Sequence, residues 1–146
     1  MADTFQLEIV TPERKVVSQE VTEVQLPGRN GYLGILAGHA PLITELSAGE
    51  ITYTVAGEAS AHRLAVAWGF GEVLPEKTTL LAEVAERPEE IDIERAKQDR
   101  ARALAHLRDV TAEEDVYRYQ REYETAQTRL EVAARAGLAD MANLVP

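Results

Sequence analysis

The sequence predicts a β + α chain: an N-terminal β-sandwich or flattened barrel over residues 1–86, then a C-terminal antiparallel two-helix hairpin over residues 87–146. Three observations carry this. Up to Glu86, short runs alternate apolar and polar residues, with Gly or Pro between them, the pattern of a sandwich or small barrel. Around Glu86-Arg87-Pro88-Glu89-Glu90 the alternation stops and helix formers take over. Beyond that point apolar residues recur at steps of three and four, the seam of paired helices.

The elements follow in order. Phe5, Leu7 and Ile9 alternate with polar neighbours as on a half-buried strand, and Thr11-Pro12-Glu13-Arg14 is a turn. Val16, Val17, Val21, Val24 and Leu26 make short β runs closed by Pro27-Gly28. The stretch Leu26 to Leu42, LPGRNGYLGILAGHAPL, holds Gly28, Gly31, Gly34 and Gly38 together with Tyr32, Leu33, Ile35 and Leu36. A flexible linker lacks such apolar anchors, so short strands broken by turns and bulges are expected. Leu42 to Leu46 is a strand, Ser47-Ala48-Gly49 a turn, and Ile51, Tyr53 and Val55 alternate again up to a hairpin turn at Ala56-Gly57-Glu58. The chain returns from Arg63 to Trp68, is broken at Gly69-Phe70-Gly71, turns at Pro75-Glu76-Lys77 and ends its β part with Thr78 to Ala85.

Pro88 fits just ahead of a helix. Ile91 to Arg108 is a helix capped by Asp92, with Ile93, Ala96, Arg100, Ala103, Leu104 and Leu107 on one side. Thr111 with Glu114 makes a capping box for a second helix that runs to about Ala136, with a seam of Val116, Tyr119, Tyr123, Ala126, Leu130 and Ala133. Gly137 ends it, and 138–146 is expected to fray. A buried methylene contributes only about 0.8 kcal/mol. An alanine-rich seam therefore holds loosely, which makes the hairpin a candidate two-state element.

Composition excludes several functions. A net charge of -10 repels nucleic acid. There is no cysteine, hence no disulfide and no thiolate metal site. No apolar run reaches the length of a membrane span, and MADTFQLEIV is not read as a signal peptide. Of the 15 basic side chains, 10 lie in residues 87–146, nine of them arginine. Helix surface accounts for them in the simplest reading; bidentate contacts to carboxylates or phosphates are the functional one. His39, His62 and His106 are scattered, no carboxylate pair is placed across a cleft, and Gly69-x-Gly71 lacks a following helix. The chain alone is read as non-catalytic.

The motifs LPG..GYLGIL.GHAPL, Gly49-Glu50, AVAWGFGEVLPEKTTLLAE and EIDIERA, in this order from about Phe5 to about Ala136, resemble the epsilon subunit of bacterial F-type ATP synthases. The resemblance implies a non-catalytic rotor-stalk subunit of a proton-translocating synthase, peripheral to the cytoplasmic face of the plasma membrane and held there only through the membrane ring. Its implied partners are the gamma subunit, the c-subunit ring and the catalytic alpha/beta head. The loop matching Asn30 to Leu36, with Tyr32 where many relatives carry glutamate, and His39 of GHAPL are implied to meet stalk or ring. The alternative for His39 is a turn histidine bonded to its own loop. The family's hairpin is permissive when folded and blocks ATP hydrolysis when extended toward the head, so Arg118, Arg121, Arg129 and Arg135 become candidate head contacts.

Some bacterial relatives bind ATP on the folded hairpin, through Ile/Leu-Asp-x-x-Arg-Ala and further arginines. Ile91, Asp92, Arg95 and Ala96 match the motif, Arg102 matches the arginine seven residues on, and Arg129 matches the later of two on the second helix. The earlier position holds Thr125. No cofactor is required on this reading, and ATP is implied as a weak regulatory ligand. For Asp92 and Arg95 the plainer reading is a helix cap and a surface ion pair. The competing function is a free-standing ATP-sensing module of sandwich and hairpin.

Overall fold

A computed structural model of the chain describes residues 3–139 and Leu144. The chain divides into two compact units, Met1–Glu86 and Arg87–Pro146.

The first unit holds seven strands: β1 (Phe5–Val10), β2 (Lys15–Gly28), β3 (Gly31–Leu36), β4 (Leu42–Leu46), β5 (Gly49–Val55), β6 (Ala61–Val73) and β7 (Lys77–Glu86). Strands β1, β7, β6, β5 and β2 pair in a closed ring, since β1 also pairs with β2. Among the described residues only the β1–β7 ladder is parallel. Closure removes edges that would otherwise invite foreign strands. Leu7, Ile9, Leu26, Ile35, Ile51, Leu64 and Leu80 are fully buried inside, each on the inward half of its alternation. At one rim Glu8 receives Lys77 at 3.3 Å and Lys15 at 3.4 Å. These contacts, Lys77 first, hold its carboxyl below the usual carboxylate range.

Two strands differ from the sequence reading. The short β runs expected between Val16 and Leu26 are one fourteen-residue strand. On one edge β2 pairs first with β1 and then with β3, and on the other with β5. Likewise Gly69-Phe70-Gly71 does not break a strand. β6 runs through it in unchanged register with β7, and on its other edge passes from β5 to β4. The hand-over sits at a kink, where Trp68 has φ 58° and Gly69 φ 151°. An added Cβ at Gly69 would lie 1.8 Å from the Leu81 carbonyl oxygen, so only glycine fits. The turns at Thr11–Arg14, Gly57 and Pro75–Lys77 form as expected.

In the second unit Pro88–Glu90 forms a single 3-10 turn with Pro88 at its start. Helix α1 spans Ile93–Leu107 and α2 spans Glu113–Arg135. Asp92 caps α1 by accepting from the Arg95 N–H at 3.0 Å. The capping box expected at Thr111 and Glu114 does not form. Ala112 stands at the N-cap of α2 and no side chain caps it. Glu113, Glu114 and Asp115 fill the first turn instead, where negative charge opposes the positive end of the helix dipole.

The Arg100 guanidinium donates to Gln127 Oε1 at 2.8 Å, and the His106 and Tyr119 rings stack at 4.5 Å and 11°. One pair lies deep in the hairpin and the other nearer its tip, which makes the helices antiparallel. Ala96, Arg100, Ala103, Ala126, Leu130 and Ala133 are buried, whereas Val116, Tyr119 and Tyr123 are half-buried. Burial thus thins toward the tip. Thr128, Val132 and Ala134 are also buried, beyond the narrow seam that the spacing predicts. Gly137, at φ 77°, donates to the Ala134 carbonyl and Leu138 to the Ala133 carbonyl, closing α2 as its glycine implies. The expected fraying of 138–146 falls, beyond Ala139, outside the described residues except Leu144, whose carbonyl accepts from Gln127 Nε2 at 2.8 Å.

Candidate functional site

The candidate arginines lie on the helical unit. Asp92, Arg95, Asp99 and Arg102 form one stripe of α1, because steps of three and four return to the same side. Asp99 accepts from Arg95 Nε at 3.4 Å and lies 3.3 Å from Arg102 Nη1. The structure therefore brings two candidate phosphate ligands together on a single carboxylate. Ile91 is buried just ahead of the cap, and Ala96 is buried behind Arg95. The spacing of Asp99 from both arginines was visible in the sequence, yet only the arginines were singled out there.

Across the hairpin, the Arg100–Gln127 and His106–Tyr119 pairs set the register. On it, Arg102 comes level with Thr125, and Arg129 with Gln98. Thr125 donates its hydroxyl to the Arg121 carbonyl at 2.8 Å, so this hydroxyl serves its own helix. Of the sequence-predicted phosphate ligands, Arg95 and Arg102 lie on α1 and Arg129 on α2.

The remaining arginines are engaged locally. Arg118 Nη2 donates to the Tyr119 hydroxyl at 2.7 Å and lies 3.8 Å from Asp115. Tyr119, and to a lesser degree Asp115, raise its pKa above the ordinary arginine value. Arg121 lies over the Tyr117 ring at 5.7 Å, and Arg135 is 3.9 Å from Glu131. Exposed pairs such as Arg118–Asp115 contribute little stability.

On the β unit, the Asn30–Leu36 loop of the sequence reading is largely strand β3, joined to β2 by a two-residue turn at Arg29-Asn30. The Tyr32 hydroxyl accepts the Glu50 N–H at 3.0 Å while the residue stays 55% exposed. His39 Nδ1 donates to the Ala40 carbonyl at 2.7 Å, and its backbone N–H to the Leu36 carbonyl. Its plainer reading, a turn histidine bonded to its own loop, therefore describes its local contacts.

One feature was missed in the sequence. Ile43, Phe70 and Leu81 are 75%, 58% and 55% exposed. Phe70 stands opposite Leu81 on β7, and Ile43 on β4 is its diagonal neighbour. They form one apolar patch with Glu45, Glu72 and Glu83 exposed around it. Single exposed apolar residues are ordinary, but three adjoining on one sheet face make a candidate contact surface.

Comparison with known proteins adds the family. Residues 4–88 match the beta-sandwich domain of the ATP synthase delta/epsilon chain, and residues 89–134 match its long alpha-helix domain. The chain belongs to the ATP synthase delta/epsilon chain family. Among relatives, the ATP synthase epsilon chain of Koribacter versatilis is 63% identical over 107 residues, covering 73% of this chain and 74% of the relative. That of Citrifermentans bemidjiense is 42% identical over 137 residues, covering 93% and 98%. A chain in the Euglena gracilis mitochondrial ATP synthase OSCP/F1/c-ring structure superposes with TM-score 0.75 at 18% identity, covering 94% of this chain and 83% of that one. At that identity the likeness speaks to fold. The delta/epsilon fold, a sandwich followed by two helices, is the one predicted from the sequence.

Proposed function

We propose that the chain is the epsilon-type stalk subunit of a proton-translocating rotary ATP synthase, non-catalytic by itself. The β unit attaches it to the gamma subunit and the c-subunit ring. The helical unit meets the catalytic alpha/beta head through Arg118, Arg121, Arg129 and Arg135 and restrains ATP hydrolysis. No helix among the described residues is long and apolar enough to cross a membrane. The chain reaches the cytoplasmic face of the plasma membrane through the ring.

The observation that carries this reading is the match of residues 4–88 and 89–134 to the two domains of the ATP synthase delta/epsilon chain, and the Ile43–Phe70–Leu81 patch is the surface proposed for its attachment. Burying one large apolar side chain is worth about 1.5–3 kcal/mol, so the three together supply a substantial share of a stable interface. Phe70→Glu puts a charge within a patch whose surround is already acidic and leaves the buried core untouched. The variant is expected to keep its thermal midpoint within a few degrees, as exposed substitutions do. Its affinity for synthase particles stripped of this chain is expected to fall at least about tenfold, the equivalent of 1.4 kcal/mol. Unchanged affinity in a sedimentation assay removes the patch from the interface.

ATP is the proposed regulatory ligand of the helical unit, bound at Arg95, Arg102 and Arg129 with Asp92, Ile91 and Ala96 shaping the start of α1. Binding is weak on this reading. Asp99 already holds Arg95 and Arg102, and Thr125 adds no cation. A charge-assisted contact contributes roughly 1.5–3 kcal/mol. Arg95→Ala is therefore expected to weaken ATP binding at least about tenfold in calorimetry. Equal affinity for the wild-type chain and the variant excludes this site. Tight binding of ATP by a chain that joins no synthase particle favours the free-standing sensor.

A further inference from the structure

Strand β3 has an open edge. One edge of β3 pairs with β2, and among the described residues nothing pairs with the other. The groups that face it follow from Pro27, which stands opposite Tyr32. Proline has no N–H, and the Pro27 carbonyl accepts from the Ser47 N–H, away from β3. Pro27 and Tyr32 are thus a pair that exchanges no hydrogen bonds. By the alternation of an antiparallel ladder, Tyr32 and Gly34 turn both backbone N–H and C=O to the open edge. Leu33 and Ile35 spend theirs on β2.

Gly34 is the second observation. Its φ is not in the left-handed region, and an added Cβ would meet nothing within 4 Å. Gly49 and Gly69 differ, since an added Cβ would strike Pro27 and Tyr32 at the first and Leu81 at the second. Glycine inside a strand costs about 0.5–1 kcal/mol relative to alanine. Nothing within this fold requires it at Gly34. Glycine in a strand interior often marks the close approach of a ligand or another backbone. Beside Gly34 lies a hollow of about 310 Å³, lined also by Gln25, Thr52, Thr54 and Leu36. Leu36, one pleat along the same face, is 61% exposed.

The third observation is charge. From Gly31 to Thr44 no side chain is Asp, Glu, Lys or Arg, although such residues make up 27% of the chain. Natural edge strands are usually blunted by charge, proline or a bulge. The run Gly31–Leu36 has none of these.

We propose that β3 is completed by a strand from a different polypeptide: an uncharged extended segment that hydrogen-bonds Tyr32 and Gly34 and lays an aromatic or long aliphatic side chain across Gly34 into the hollow. Recognition is by backbone pairing, with the missing Gly34 side chain as the socket. A second copy of this chain is disfavoured as occupant, because it would bring together two bodies of net charge -10. The proposal rests on the reading that the chain works inside a larger assembly, but not on the Phe70 patch.

The test compares the full chain alone and bound to synthase particles stripped of it, by amide hydrogen exchange. Alone, Tyr32 and Gly34 are expected to exchange fast, and Leu33 and Ile35 slowly. Bound, Tyr32 and Gly34 slow by at least about a hundredfold. Gly34→Val is expected to keep or raise the thermal midpoint of the free chain, since β-branched residues favour strands, and to weaken binding to the stripped particles at least tenfold. Binding that leaves Tyr32 and Gly34 exchanging as before overturns this proposal alone, as does a Gly34→Val chain that binds like wild type. Protection that grows with the concentration of the chain by itself assigns the edge to a second copy and also overturns it. A wild-type chain that does not bind the particles overturns the assembly reading and this proposal with it.

Discussion

Gly69→Ala is expected to be the most damaging single methyl in the β unit. The new Cβ would sit 1.8 Å from the Leu81 carbonyl oxygen and 3.0 Å from Ala82 Cα, both backbone atoms. Flexible side chains can swing aside; a paired strand cannot. The φ of 151° is itself a region that residues other than glycine seldom adopt. Strain and overpacking together cost about 3 kcal/mol or more. For a unit of this size that lowers the thermal midpoint by more than about 10 °C. Trp68, the chain's only tryptophan, is adjacent and reports the unfolding by fluorescence. A midpoint within two or three degrees of wild type would mean that the β6–β7 ladder shifts freely at the kink. Gly34→Val, on the open edge of β3, is the contrasting case: a larger side chain with no steric penalty in the free chain.

Removing residues 87–146 is expected to have the largest effect on function. Every β ladder closes within Phe5–Glu86, and the last pair is Ala65 with Glu86. The β unit should therefore fold without the helices and still join the stripped particles. On the reading that the helical unit restrains the head, ATP hydrolysis by the reconstituted synthase should rise about fivefold or more, the lower end of ordinary coupling between sites. Hydrolysis equal to that of the full-length assembly would confine this chain to a scaffolding role. The two helices are held to each other by a light seam. Their shared seam is built largely of Ala96, Ala103, Ala126 and Ala133, and each alanine brings few methylenes to the contact.

The local features were legible because their causes lie within a few residues. Asp92 and Arg95 are three apart, and that spacing alone sets a helix cap. Gly137 needed only its own backbone freedom to close α2. The alternation of Phe5, Leu7 and Ile9 named the buried face of β1 without its partners. The capping box at Thr111 misled for a related reason. A short motif competes with where the preceding turn releases the chain, and here the N-cap falls one residue later, at Ala112, so that α2 begins at Glu113.

What the residue order determined alone was a β part that yields to two helices near Glu86, the cap of the first helix and the stop of the second, and an acidic chain unsuited to nucleic acid. Only the folded arrangement decided that β2 and β6 each change partners midway, because pairing joins residues far apart in sequence and depends on which neighbour ends first. That hand-over makes β6 continuous through Trp68, and continuity sets the parity that turns Phe70 outward beside Leu81. It also leaves β3 at the end of its sheet path, where Gly34 faces open space instead of a neighbour.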